Sequence, residues 1–353
     1  MTPVPLDLPL RPAEAAELAN LIFDVAERKP LTDELRNRIA ARAVVLKLET
    51  ITPYFGSLER DPVHPSAYYL AVDGVAGSAQ LLYLALSTAP TSSIFHKPLL
   101  IGRMSRVHGA ECVINATPFA AADWKNIDLF ASRINGAFLP RPQGARVEVA
   151  VNGDAAAAFE AFRAVYKRRG KNVAAFAGDY HAGLWAAIRA GWRHGYAAIV
   201  QVPVGDSSGD IRPLGGASRF AVDVSGLERF EPALKAAEQV HEQIRQVRAR
   251  LKRSGTFEFE VGLPECSAGD LEFCLDWLKT RGHAAQLVAP SRLTGDLAEA
   301  AATVRQHQAT LSLRYRGEDE AAIQEMAKAT SGRVSVRVES GAEAAFVAES
   351  LLV

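Results

Sequence analysis

Between residues 257 and 351 short β-like runs alternate with helical stretches, and this alternation constrains the fold more than any other feature of the chain. FEFEVG (257–262) leads into DLEFCLDWLKTRG, and AAQLVAP (284–290) into DLAEAAATVRQHQ. TLSLRYR (310–316) leads into EDEAAIQEMAKATSG, and VSVRVES (334–340) into GAEAAFVAESLL. Each strand is short and rich in Val, Leu or Phe. Gly or Ser-Gly tends to stand where a helix must stop before the next strand. Repeated strand–helix units form a parallel sheet under helices, because parallel neighbours need a crossover long enough to hold a helix.

The same texture extends upstream to about residue 98. LLIG (99–102) and ECVINATPF (111–119) read as strands, DWKNIDLFASRI (123–134) as a helix, and GAFLPRP (136–142) as extended chain. RVEVAV (146–151) reads as an additional strand. Helix 155–170 precedes NVAAFAG (172–178), and helix 183–195 precedes YAAIVQVPV (196–204). RFAVDV (219–224) then leads to a long helix from Glu231 to Arg253. The count reaches or slightly exceeds eight strands over roughly 250 residues, the size of a closed (β/α)8 barrel. An open doubly wound sheet is the alternative, but no Gly-rich dinucleotide turn follows an early strand. The expected fold is therefore α/β, a (β/α)8 TIM-type barrel over residues 96–353 with a helical N-terminal segment at 1–95.

Within that segment, Glu14 to Arg28 places Ala15, Leu18, Leu21, Ile22 and Val25 on one helical stripe. Thr32 reads as the N-cap of a helix running towards Leu48. Residues 51–66 are rich in turn formers and read as a connection, and 67–87 as a buried helix.

Lys plus Arg and Asp plus Glu are 40 each, so the net charge is zero. That argues against general affinity for nucleic acid or anionic membranes, which require a basic excess. Cys112, Cys266 and Cys274 are few, odd in number and without metal spacing, as in a reducing compartment. The first residues lack a secretory pattern, and no run reaches the roughly 18 apolar residues of a membrane span. The expectation is a cytoplasmic protein with a small-molecule partner and no nucleic acid or membrane. A homo-oligomer is left open.

In such a barrel the reactive groups stand at the C-terminal ends of the strands and in the loops just after them. That rule selects Asn115 after ECVIN, Arg141 after GAFLP, and Asp179 and His181 after NVAAFAG. It also selects Glu260 and Glu265 in and after FEFEVG, Arg292 after AAQLVAP, and Arg314 and Arg316 after TLSL. Gln201, Asp206, Asp223, Ser291, Asp319, Glu339 and Ser340 belong to the same ring. Oxygen and imidazole donors together can hold a divalent metal such as Zn or Mn, which polarises a carbonyl and eases proton removal from the adjacent carbon. Guanidinium groups suit a carboxylate or phosphate. Other roles stand beside these. Asp179 fits an N-cap of the helix beginning near Ala182, Glu260 a buried structural pair, and Glu265 a loop charge.

FEFEVGLPE (257–265), AAQLVAPSR (284–292), TLSLRYRGEDE (310–320) and ATSGRVSVRVESGAEAAF (329–346) resemble successive strands of the tagaturonate/fructuronate epimerase family. The Asp179–His181 turn is similar to that family's acid-rich strand end closing on a histidine. The resemblance covers residues 230–350 and implies a sugar-acid epimerase acting with a divalent metal. The residues depart from the family pattern at Pro264, where another acid is expected, and at Tyr180, where an aspartate is. Arg314 and Tyr315 stand where the family has His-Ser.

The expected function is an isomerase or epimerase of a sugar or sugar acid, working by metal-assisted proton transfer. His181 and Glu260 would hold the metal, and Glu265 and Asp179 would serve catalysis. Asn115, Arg141, Arg292, Arg314 and Arg316 would bind an anionic substrate. The alternative is a degenerate barrel that binds an anionic sugar-like ligand without turnover.

Overall fold

The structure, a computed structural model, describes residues 124–144, 146–205, 216–227, 229–252 and 255–352. It also describes Thr32 and the strand backbones at 51–60, 66–73, 78–85, 99–107 and 110–118. The chain forms two compact units, one of Met1–Phe138 with Leu184–Arg193, the other of Leu139–Gly183 with His194–Val353.

The first unit contains a five-stranded antiparallel sheet. Its strands are β1 (Ile51–Arg60), β2 (Ser66–Asp73), β3 (Ser78–Ala85), β4 (Leu99–Val107) and β5 (Ala110–Pro118). Their order is β1-β2-β3-β5-β4. The described parts of the expected connection at 51–66 and of the expected buried helix at 67–87 are thus strands. The Tyr-, Leu- and Ala-rich run satisfies either period. Gly74 and Gly77 split it, and Asp73-Gly74 is a hairpin signal that brings Asp73 opposite Ser78. The 99–102 and 111–119 runs belong to this sheet and not to the parallel one. The expected helices at Glu14–Arg28 and after Thr32 lie outside the described residues. Helix α1 (Trp124–Leu129) runs on into a π-helical turn at Phe130–Ile134. The expected extended stretch at 136–142 instead begins with a 3-10 turn at Gly136–Phe138.

The second unit is a closed barrel of eight parallel strands alternating with helices, as the sequence pattern predicts. Its first strand is the supposed addition, β6 (Glu148–Asn152). Then come β7 (Ala174–Ala177), β8 (Ala197–Gln201), β9 (Arg219–Asp223) and β10 (Glu258–Leu263). β11 (Leu287–Pro290), β12 (Thr310–Arg314) and β13 (Val334–Val338) complete the set. β13 closes the ring by pairing with β6, Ser335 opposite Glu148 and Val338 opposite Val151.

Alternation along each strand sorts the side chains. Phe259, Val261 and Leu263 of β10 pack outward against the helix layer with Leu234, Ile244, Leu271 and Leu278, all buried. Small residues fill much of the interior, with Ala150, Ala175, Ala177, Ala197, Ile199 and Ala221 forming one cluster. Glu258, Glu260 and Gly262 alternate with the outward set and face inward.

The connecting helices among the described residues are α2 (Ala155–Arg169), α3 (Tyr180–Ala190), α4 (Phe230–Arg250) and α5 (Ala268–Thr280). α6 (Leu297–Gln306), α7 (Glu320–Ala329) and α8 (Gly341–Leu351) follow. Short polar caps fix where several of them start. Asp154, Asp296 and Asp319 accept N–H bonds in the first turns of α2, α6 and α7. Ser267 and Ser340 form reciprocal capping boxes with Asp270 and Glu343. Each cap ends a strand-to-helix loop abruptly, so the strand tips form a defined rim. No helix among the described residues is long and apolar enough to cross a membrane.

Candidate functional site

The two ends of the barrel are chemically different. At the N-terminal end, Glu148, Arg219 and Glu258 are the first residues of β6, β9 and β10, and all are buried. The Arg219 guanidinium donates to both Glu148 oxygens and, from Nε and Nη2, to Glu258 Oε2 at 2.9 and 2.7 Å. Ser335 Oγ donates to Glu148 at 2.8 Å. The backbone N–H groups of Gln143 and Gly144 donate to Glu258 Oε1 at 2.9 and 2.7 Å. Burial pushes the Glu148 carboxyl up, but the Arg219 charge and hydrogen bonds, with Ser335 and Arg146, hold it below the ordinary glutamate value. These partners satisfy one another and plug this end.

At the C-terminal end the interior opens into a cavity of about 230 Å³. It reaches from Gln201 on β8 round to Arg337 on β13, and Asp223, Glu260 and Ser312 face it between them. Arg314 and Arg316, both exposed, also line it, as does Ser291. The volume lies below the roughly 300–1,000 Å³ of drug-sized sites, which suits a small ligand.

Glu260 is 1% exposed, and its Oε1 accepts from Arg337 Nη2 at 2.7 Å. With its amide oriented to satisfy both neighbours, Gln201 accepts from Arg337 Nη1 and donates to the Ala221 carbonyl, each at 3.2 Å. Asp223 Oδ1 accepts from the Ser225 N–H at 2.9 Å. Gly262 makes room for that carboxylate, since a Cβ there would stand 2.9 Å from Asp223 Oδ1. Arg316 donates from Nη2 to the Ser291 carbonyl at 3.1 Å. Three guanidinium groups therefore face two carboxylates across the cavity, an excess that favours an anion.

Of the residues selected from sequence, the structure brings Glu260, Arg314 and Arg316 to this cavity, together with Gln201, Asp223 and Ser291 of the same ring. Asp179 is exposed and caps α3, its Oδ1 accepting from the Ala182 N–H at 2.6 Å. His181 lies buried in the first turn of that helix, its ring 4.8 Å from that of Tyr180, and does not line the cavity. Glu265 and Arg292 lie in loops beyond β10 and β11. They face each other loosely at 4.0 Å, both exposed, and neither lines the cavity. Arg141 sits at the other end of the barrel, next to the start of β8. Its N–H donates to the Tyr196 carbonyl at 3.0 Å and its Nη2 to the His194 carbonyl at 3.2 Å. Asn115 is on β5 of the antiparallel sheet, opposite Tyr83 and Leu100, and so not at a barrel strand tip. Asp319 and Ser340 are helix caps, and Asp206 lies outside the described residues.

Sequence reasoning missed Arg337 and Ser312. The signal was present in VSVRVES and TLSLRYR. Both polar residues alternate with apolar ones that pack outward, as Glu260 does in FEFEVG.

The divalent metal expected at His181 and Glu260 does not fit the described residues. Among them, no group of three His, Cys, Asp or Glu side chains is placed to hold an ion. One Glu260 oxygen is taken by Arg337, and an arginine at neutral pH offers a metal no lone pair. Nor do Cys266 and Cys274 supply a nucleophile. Both are buried, and burial pushes both thiols up to about 12.

No family model matches this chain, and no curated protein sequence does. Among solved structures it is similar to native fructuronate-tagaturonate epimerase UxaE from Cohnella laeviribosi. The sequence identity is 14% and the TM-score 0.56, over 85% of this chain and 74% of that one. The same enzyme complexed with two glycerol molecules gives 12% identity and a TM-score of 0.56, over 86% of this chain and 75% of that one. At such identities the likeness is one of fold.

Proposed function

We propose that the barrel takes an anionic, hydroxyl-rich small molecule of the sugar-acid type at its C-terminal mouth and transfers a proton on it. One observation carries this reading: the buried Glu260–Arg337 pair lies in a small cavity whose rim carries Arg314 and Arg316. The rim arginines hold the ligand's carboxylate or phosphate by paired N–H donors. Arg337 donates to Glu260 at 2.7 Å and supplies fixed positive charge beside it. A carbonyl of the ligand placed against that guanidinium gathers electron density as the adjacent C–H bond breaks. The proton passes to the Glu260 carboxylate, which becomes a carboxylic acid, the electron pair of the C–H bond forms the carbon–carbon double bond of an enolate, and the carbonyl π pair moves onto the oxygen. Return of a proton to the other face of the same carbon gives an epimer. Asp223, on the neighbouring strand, makes that return after taking a proton from solvent, and Glu260 gives its own proton up to solvent to complete the cycle. The fold likeness to UxaE supports a sugar acid as the substrate class.

The test is solvent exchange. Keto sugar acids, including tagaturonate and fructuronate, are incubated with the protein in D2O and followed by NMR. Deuterium entering beside the carbonyl with wild type, and not with Glu260→Gln, is the expected result. Binding without exchange favours the second reading, a barrel that holds the ligand without turnover. The occupation of Glu260 Oε1 by Arg337 supports that alternative.

A further inference from the structure

Among the described residues, the cavity floor carries three buried polar atoms with no hydrogen-bond partner: Glu260 Oε2, Ser312 Oγ and Arg337 Nε. They belong to β10, β12 and β13, and all three residues line the same cavity. Glu260 and Ser312 are 1% and 2% exposed. Buried polar atoms ordinarily find partners, and those on residues that line a cavity are the ones a ligand is placed to satisfy. Their chemistry is mixed. A carboxylate oxygen only accepts, the Arg337 Nε–H only donates, and the Ser312 hydroxyl does both. The rim differs, because Arg314 and Arg316 only donate and both are charged.

We infer that the site reads its ligand end-on. A hydroxyl beside a carbonyl or a second hydroxyl lies on the floor against Glu260, Ser312 and Arg337, and the anionic group lies at the rim against Arg314 and Arg316. This assignment rests on the reading of the mouth as a site for an anionic sugar-like ligand and adds the ligand's direction. Reversal is disfavoured, since a ligand carboxylate on the floor meets the Glu260 carboxylate. Ser312 is then a specificity residue: it contributes nothing to charge recognition and senses whether the buried end bears a hydroxyl. A site built to pair with a hydroxyl discriminates against an analogue lacking it, because the site's own polar atoms stay unpaired.

A matched six-carbon series separates floor from rim: D-gluconate carries both features, hexanoate only the carboxylate, and D-glucitol only the hydroxyls. Calorimetric titration of the full chain is expected to show gluconate binding at least about tenfold tighter than either of the others. Ser312→Ala weakens gluconate by roughly three- to tenfold, the worth of one hydrogen bond, and leaves hexanoate unchanged. Arg316→Gln weakens gluconate and hexanoate by similar factors. Hexanoate binding as tightly as gluconate, or Ser312→Ala weakening both alike, overturns the assignment. Anions that bind through Arg316 while Ser312→Ala has no effect remove the end-on assignment alone. Failure of every anion to bind, with Arg316→Gln silent, removes the anionic-ligand reading and this inference together.

Discussion

Replacing Arg219 by methionine tests how the barrel tolerates charge at its closed end. The side chain is 1% exposed and bridges Glu148 and Glu258. Its loss affects the two carboxylates unequally. Glu258 Oε1 keeps two backbone N–H donors, but among the described residues Glu148 keeps only Ser335 Oγ. Removing one partner of a buried ion pair costs about 3–5 kcal/mol, because an uncompensated charge stays behind. For a unit of this size that lowers Tm by roughly 6–20 °C. The pH dependence supplies a second check. In wild type Glu148 sits below its unfolded value, so its stabilisation is present above about pH 4.3 and fades as pH falls through the folded value. Without Arg219, burial is opposed only by the Ser335 hydrogen bond and the Arg146 charge, and the folded value rises. The variant therefore gains stability relative to wild type as pH is lowered from 7 towards 5. Urea unfolding of both proteins at pH 7 and 5 measures the gap, which is expected to narrow in acid. A loss under about 1 kcal/mol, or a gap independent of pH, refutes the reading of this network as a charge-balanced plug.

Three further perturbations probe other parts of the unit. Gly262→Ala puts a methyl 2.9 Å from Asp223 Oδ1 and 3.3 Å from its Cα. The expected outcome in denaturant titration is a loss of about 1–3 kcal/mol, with weakened ligand binding as Asp223 is displaced. His241, in α4, shares a 2.9 Å contact between Nδ1 atoms with His283, and Phe257, Phe259, Glu242 and Arg245 lie close by. Burial, then His283 and Arg245, lower its value to about 4. A histidine buried neutral costs stability as pH falls from about 6.5 towards the folded value, so wild type is expected to lose more stability than His241→Gln between pH 7.5 and 4.5. Ser267→Ala removes a capping box at α5 and is expected to cost about 1 kcal/mol with ligand binding intact, measured by thermal unfolding and titration.

The barrel was legible because its signal is local and repeated. In FEFEVG and VSVRVES the outward Phe and Val residues announce strands, and the helices between them carry capping residues and terminal glycines. The same two-residue alternation sends Glu260 inward, since its neighbours Phe259 and Val261 take the outward face. What stayed hidden depends on long-range pairing. The 67–85 run suits either a buried helix or two strands, and only a partner sheet decides. Taking the 99–119 strands into the barrel misplaced its starting point, which put Asn115 and Arg141 at a mouth they do not border. Glu265 and Arg292 follow the correct strands, but residue spacing does not encode the direction of a loop. Arg337 and Ser312 escape a rule that selects strand tips, because the floor is built one or two residues earlier, on the inward face.

The most direct test of the account is a crystal structure of the protein with D-gluconate bound. The account predicts the ligand in the C-terminal cavity, with its carboxylate at Arg314 and Arg316 and a hydroxyl at Glu260 and Ser312. A ligand lodged at the Arg219 end, on the outer helices, or in the cavity with its carboxylate against Glu260 contradicts it.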